Sequence, residues 1–298
     1  MQLKIKGVIV PILTLYHPSK GIDRWAMQAL ADFLIERGVH ALFPGGTTGE
    51  GPLLSLPERM ELAKICIKAA RGRVPVIVHT GALTTADTVT LTRHAHSAGA
   101  QAAAIMPPFF YHHTDQGLIR HYETVAGQSA DFPLYLYNYP AVSNNTLTAS
   151  LVAELARRIP SLVGIKDSGG GLELLSACAS LKDGQFNTAS GSDWQILAAF
   201  QAGFDACVSG NANVVPELVV SLYAAARAGN WVSAQALQAK VDAVRQILRD
   251  GSQLSLYKAM LTRRGLNGGL VRPPLLPVGE DQTAECWQAL VNLDIGIE

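Results

Sequence analysis

The chain has 298 residues, 48% hydrophobic and 16% charged, enough for one large barrel or two ordinary domains, and this excludes a disordered or collagen-like chain. Twenty-four Lys plus Arg balance 24 Asp plus Glu, so nothing marks a nucleic-acid or anionic-membrane surface, and a small neutral or anionic metabolite fits better as the partner. Cys66, Cys178, Cys207 and Cys286 are scattered, without the spacing of a zinc site or a disulfide framework, as in a protein whose thiols stay reduced.

The N-terminus lacks the charged and apolar regions of a secretory signal. No apolar stretch reaches the roughly 20 residues that a membrane-spanning helix needs. A soluble, cytoplasmic protein is expected.

Residues 7–14 read as the first strand, followed by a helix over 23–37 capped by Asp23. Residues 41–46 form the next strand, then a helix over 58–71 follows Pro57. A strand over 74–80 leads to a helix over 84–98 that stops at Gly99. The same alternation continues through strands at 102–108, 133–140, 162–167, 186–192 and 206–210, each followed by a helical pattern. Eight such units match a (β/α)8 TIM barrel. A doubly wound open sheet shares the periodicity, but it would gather its polar residues at one switch point. Here glycine-rich and polar clusters recur at successive strand ends, at 45–51, 137–140, 166–171, 191–193 and 209–213, where a barrel builds its site. The expected organisation is a barrel over 1–228 and a C-terminal helical extension over 229–298, with a proline-rich break at 272–277.

Three strand ends carry chemistry. Gly45-Gly46-Thr47-Thr48-Gly49-Glu50-Gly51 can aim backbone N–H groups at an anion, or can be a plain tight turn. It lacks the lysine of a nucleotide-binding P-loop. Lys166 ends an otherwise apolar strand, Leu162-Val163-Gly164-Ile165-Lys166. If it points inward, desolvation lowers its pKa and provides the neutral amine that Schiff-base chemistry requires; otherwise it snorkels outward and pairs with Asp167. Tyr135, Tyr137 and Tyr139 share one strand face at different depths, and Tyr137 is placed to relay protons or simply to pack. The histidine pairs His94/His96 and His112/His113 lack metal-ligand spacing, so no metal and no cofactor are expected.

With Thr47-Thr48-Gly49-Glu50, Tyr137-Asn138-Tyr139-Pro140 and Gly164-Ile165-Lys166-Asp167 in this order, the chain resembles the dihydrodipicolinate synthase/N-acetylneuraminate lyase family over almost its whole length. The resemblance implies that Lys166 forms an imine with a 2-oxo acid and that Tyr137 shuttles protons, with Thr48 counted beside them as catalytic. It also implies that Thr47 and Thr48 hold the substrate carboxylate, that Gly191 and Ser209 lie near the pyruvate moiety, and that Ser168 and Asp193 complete substrate binding. A homotetramer, a dimer of dimers, is implied as well.

Three departures bear on substrate. The arginine that binds a second carboxylate in dihydrodipicolinate synthases is Val142 here, and the loop tyrosine that reaches across the dimer falls on Phe110, beside Tyr111. Sialic acid lyases carry an acidic residue where this chain has Trp194. The expected function is therefore an aldolase or dehydratase acting on a 2-keto-3-deoxy sugar acid, with pyruvate as product or donor and with Ser143 and Asn144 near the mouth. The alternatives are dihydrodipicolinate synthase itself, which joins pyruvate and aspartate semialdehyde, or a 2-oxo-acid-binding sensor without turnover.

Overall fold

The computed structural model describes residues 3–19, 21–129 and 131–297; Met1, Gln2 and Glu298, at the outer ends of the two expected segments, lie outside them. The apolar runs form eight parallel strands, Gly7–Val10 (β1), Ala41–Leu42 (β2), Ile77–His79 (β3), Ala102–Ile105 (β4), Leu134–Asn138 (β5), Leu162–Asp167 (β6), Asn187–Ser190 (β7) and Ala206–Val208 (β8). Their order is β2-β1-β8-β7-β6-β5-β4-β3. A parallel bridge between Leu42 and Val76 joins the two ends of that order, and the Leu42 amide donates to the Pro75 carbonyl at 3.0 Å. The sheet closes on itself, so the fold is a (β/α)8 TIM barrel with C-terminal helices.

Most strands are shorter than the apolar runs because their C-terminal ends turn into loops held by side chains. β1 stops at Val10, just before Pro11, which has no N–H for the ladder. The Leu13 amide then donates to Asn213 Oδ1 at 3.0 Å, and the Thr14 hydroxyl donates to the Gly49 carbonyl at 2.6 Å. Helix starts follow the capping residues. Asp23 accepts from the Trp25 and Ala26 amides at the start of Arg24–Glu36. The second helix, Leu56–Ala70, begins earlier than expected because Ser55 and Glu58 form a capping box that places Pro57 in the first turn.

A register shift between β5 and β6 decides which way Lys166 faces. Leu134 pairs with Leu162, but Tyr135 pairs with Gly164, leaving Val163 as an extra residue. Beyond the shift Ile165 aligns with Leu136, both in the layer between sheet and helices, and Lys166 aligns with Tyr137, which belongs to the barrel-interior cluster. One residue of slip would exchange these faces. Gly164 is required on the inner side, since a β-carbon there would stand 2.6 Å from the Tyr135 ring and 2.5 Å from the Asn187 carbonyl.

Past residue 229 the chain forms the helices Trp231–Ile247, Leu254–Arg263 and Glu280–Val291. They are fastened to the second strand-end loop. Lys258 and Glu50, both almost fully buried, form an ion pair at 2.5 Å, and the Arg272 amide donates to Glu50 at 3.1 Å. Arg272 also pairs with Glu58. Among the described residues no helix is long and apolar enough to cross a membrane.

Candidate active site

Lys166 is buried, 7% exposed, with Nζ 3.5 Å from the centre of the Tyr137 ring and 5.6 Å from that of Phe43. Asp167, the partner it would have on the surface, faces away and accepts from Asn138 Nδ2 at 2.7 Å and from the Gly169 amide at 2.9 Å. Burial pushes the Lys166 ammonium down from its usual range to about 7, against the opposing influence of Asp167 and Asp193. A neutral amine is thus available near pH 7.

The three tyrosines of β5 separate by depth. Tyr135 lies deep in the barrel and donates to Asn187 Oδ1 at 2.8 Å. Tyr137 is level with Lys166, its oxygen 3.2 Å from Thr47 Oγ1. Tyr139 stands further out, its ring 6.4 Å from that of Tyr137. Burial raises the Tyr137 phenol to about 12, partly offset by Thr47 and Ser168, so it holds its proton at neutral pH.

Thr47 and Thr48 both line the cavity, but only Thr47 meets Tyr137. Thr48 Oγ1 lies on the side of Gly210, because successive residues of the turn face different walls. The glycines of this loop let the chain double back on itself: a β-carbon on Gly51 would fall 1.9 Å from the Gly45 carbonyl. Ser168, Gly191 and Asp193 also line the cavity. Ser209 does not; it is fully buried and donates its hydroxyl to Asp193, which also accepts from the Asn211 amide at 3.4 Å. Burial raises the Asp193 carboxyl to about 6 despite these donors.

Ser143 and Asn144 depart from their expected place at the mouth. The Ser143 hydroxyl is buried and donates to the Tyr139 and Asn145 carbonyls, while Asn144 donates to the Phe110 carbonyl at 3.2 Å. Both are consumed in folding the turn that ends the short helix Pro140–Ser143. Val142 is on the same helix, 45% exposed and outside the cavity wall. Phe110 and Tyr111 are 73% and 68% exposed.

The cavity measures about 370 Å³, toward the small end of the range for small-molecule sites. Its outer wall comes from residues that sequence reasoning missed: Arg245, Asp250, Gly251, Leu254 and Tyr257. Arg245 Nε is 2.9 Å from Asp250 Oδ1. Among the described residues no histidine or cysteine lines the wall. His79, also missed, ends β3 beneath the cavity, with its ring edge-to-face on Tyr137 at 5.5 Å and its Nδ1 2.9 Å from the Gly45 carbonyl. Burial and nearby Arg59 depress its pKa to about 3, so it is neutral. Its position at the end of the run Val76-Ile77-Val78-His79 is the same signal that singled out Lys166.

Comparison with known proteins agrees with this geometry. The family model described as the dihydrodipicolinate synthetase family matches residues 4–293. An uncharacterised DapA-like lyase of Halobacterium salinarum is 34% identical over 293 residues, covering 98% of this chain and 95% of the relative. A 4-hydroxy-tetrahydrodipicolinate synthase of Methanoculleus marisnigri is 34% identical over 291 residues, covering 96% and 99%. The crystal structure of YagE, an E. coli prophage protein in complex with pyruvate, superposes with a TM-score of 0.91 at 29% identity, covering 97% of this chain and 99% of that one. Agreement over nearly the full length of both partners, in sequence and in fold, places this chain in the dihydrodipicolinate synthetase family, as a pyruvate-dependent lyase of the imine-forming, class I kind.

Proposed function

We propose that the protein cleaves or dehydrates a 2-keto-3-deoxy sugar acid through an imine on Lys166, with pyruvate as product or donor. The observation that carries this reading is the Lys166 amine, desolvated to a pKa of about 7 and held 3.5 Å over the Tyr137 ring. In this reading the neutral amine adds to the C2 carbonyl of the substrate. Tyr137 donates its proton to the resulting hydroxyl, water leaves, and the iminium forms. In cleavage, the Tyr137 phenolate so formed takes the C4 hydroxyl proton, the bond from C3 to C4 breaks into the iminium, and an aldehyde leaves; Tyr137 then returns that proton to C3 of the enamine. In dehydration, the phenolate takes the C3 proton instead and passes it to the C4 hydroxyl, which leaves as water. Water finally hydrolyses the imine and frees Lys166. Thr47 links the Tyr137 phenol to the loop whose amides and hydroxyls, with Thr48, hold the substrate carboxylate. Ser168, Gly191 and Asp193 bound the space beside C3, and Ser209 acts through Asp193 as a positioning residue. The protein would work in the cytoplasm as a homotetramer, with the exposed Phe110 and Tyr111 at the loop that reaches toward a neighbouring subunit.

A second reading is favoured by the relatives that bear the name 4-hydroxy-tetrahydrodipicolinate synthase, namely condensation of pyruvate with aspartate semialdehyde. Against it stands Val142, an uncharged side chain outside the cavity wall. The test is turnover by one purified preparation on a panel of five- and six-carbon 2-keto-3-deoxy acids and on pyruvate with aspartate semialdehyde. Turnover of a sugar acid with poor condensation supports the first reading; efficient condensation with no activity on the panel overturns it.

A further inference from the structure

The wall of the cavity opposite the strand-end motifs has no place in the chemistry above. Arg245 reaches it from the helix Trp231–Ile247 and Asp250 from the turn Arg249–Gly251, far in sequence from every barrel strand. Three successive residues of that turn, Arg249, Asp250 and Gly251, have φ of 53°, 54° and 75°. Two of them are not glycine, so the turn keeps a conformation that side chains disfavour while it presents Asp250 to the cavity.

Arg245 Nε is buried 2.9 Å from Asp250 Oδ1, yet the Arg245 side chain stays 29% exposed and that of Asp250 61% exposed. The two terminal amino groups of Arg245 make no hydrogen bond to any described residue, and the second oxygen of Asp250 accepts none. The pair therefore offers free donors and a free acceptor side by side in the wall of the cavity that contains Lys166. Asp193 lines the same cavity from the strand-end side, within electrostatic reach of Arg245, and already accepts from Ser209 and the Asn211 amide.

We infer that Arg245 and Asp250 form the tail-binding end of the site and that they take the vicinal hydroxyls of a 2-keto-3-deoxy sugar acid in preference to a second carboxylate; the inference rests on the imine-forming reading of Lys166. Adjacent hydroxyls each need a donor or an acceptor at hydrogen-bond range, and an arginine beside a carboxylate supplies both. A terminal carboxylate meets a different balance. Arg245 is already paired with Asp250, and Asp193 lines the same cavity, so a further negative charge meets like charges in a partly desolvated site. The cation absent at Val142 is thus replaced by a pair of nearly zero net charge, which selects for polar, uncharged tails.

The test uses the full-length enzyme and its Arg245→Ala, Arg245→Lys and Asp250→Asn variants, with 2-keto-3-deoxygluconate as the probe. In parallel, pyruvate and borohydride report the common end of the site. Arg245→Ala and Asp250→Asn are expected to lower kcat/KM for the sugar acid by about 10- to 100-fold, the scale of a lost charge-assisted hydrogen bond, with most of the change in KM. Arg245→Lys should fall between them and the unmodified enzyme. Pyruvate labelling of all three should stay close to that of the unmodified enzyme, which also shows that they fold. Unchanged kcat/KM in both Arg245→Ala and Asp250→Asn would overturn the inference, as would a loss of pyruvate labelling that parallels the loss of turnover. Absence of pyruvate labelling in the unmodified enzyme would instead bring down the imine reading on which the inference stands.

Discussion

The Ser168 hydroxyl occupies the space that a side chain on Gly191 would need, since a β-carbon there would stand 2.1 Å from Ser168 Oγ. The same β-carbon would be 3.0 Å from the Asp167 carbonyl and 3.1 Å from Lys166 Cε. Gly191→Ala must therefore move β6 backbone or the Lys166 stem. We expect a stability loss of about 1–3 kcal/mol, the usual cost of overpacking, together with a disproportionate fall in imine trapping with pyruvate. Thermal melts and borohydride labelling measure the two; a variant that labels like the unmodified protein would show that Gly191 does not shape the space around Lys166.

Lys166→Met should raise stability while abolishing turnover. The folded-state pKa of Lys166, about 7, lies well below the ordinary lysine value of 10.5, so between those values the unfolded chain binds more protons than the folded one. Stability contributed by this position therefore rises with pH across that window and is lowest at and below pH 7. Replacing the lysine removes the penalty, with a gain of about 0.5–2 kcal/mol at pH 7 on the scale of such stability–function exchanges. The gain should shrink as pH approaches 10. Denaturation at pH 7 and pH 9.5 tests this, and a variant less stable than the parent at pH 7 would contradict it.

Tyr137→Phe keeps the ring that packs under Lys166 and removes only the hydroxyl beside Thr47. The fold should persist and turnover should drop by on the order of 100-fold or more, the scale of a lost proton-transfer group. Near-normal turnover on the sugar-acid panel would leave Tyr137 with a packing role alone.

Glu50→Gln tests the fastening between barrel and C-terminal helices. Lys258 is 2% exposed, donates to the Leu270 carbonyl at 2.5 Å and pairs with Glu50 at the same distance. Removing the carboxylate leaves the ammonium buried without its counter-charge, a loss of about 3–5 kcal/mol. Urea denaturation measures it, and a change within error would show that the pair contributes nothing net.

Much of this architecture was legible in the sequence because strands and helices announce themselves locally. β6 matches its predicted bounds, residues 162–167, and Asp23 caps its helix as its side chain dictates. The strand ends were less legible: residues 11–14 are apolar enough to extend β1, but their partners are Asn213 and Gly49, distant in sequence. The inward orientation of Lys166 follows from a bulge at Val163, for which the glycine inside the strand, Gly164, was a local hint that did not by itself give the direction of the slip. Glu50 was visible as part of a motif, whereas its role became clear only with Lys258 and Arg272 brought against it. Arg245 and Asp250 were invisible for the same reason, since a lone arginine in a helix reads as solvated until the fold turns it to the cavity. His79 is the opposite case, a polar residue at an apolar strand end that the rule applied to Lys166 would have caught.

The pH dependence of imine formation follows from the amine itself. Addition to a carbonyl requires the neutral form, so the rate of pyruvate labelling should climb with pH and level off above about 7. An apparent pKa near the ordinary lysine value would mean that Lys166 is not desolvated when it reacts.

The most direct measurement of the central claim is the site of covalent attachment. Pyruvate and borohydride added to the intact protein, followed by digestion and mass spectrometry, should place one three-carbon label on Lys166, and Lys166→Met should lose it. The buried Lys258, held by Glu50, should stay unlabelled. A label on any other lysine, or undiminished labelling of Lys166→Met, would contradict the account.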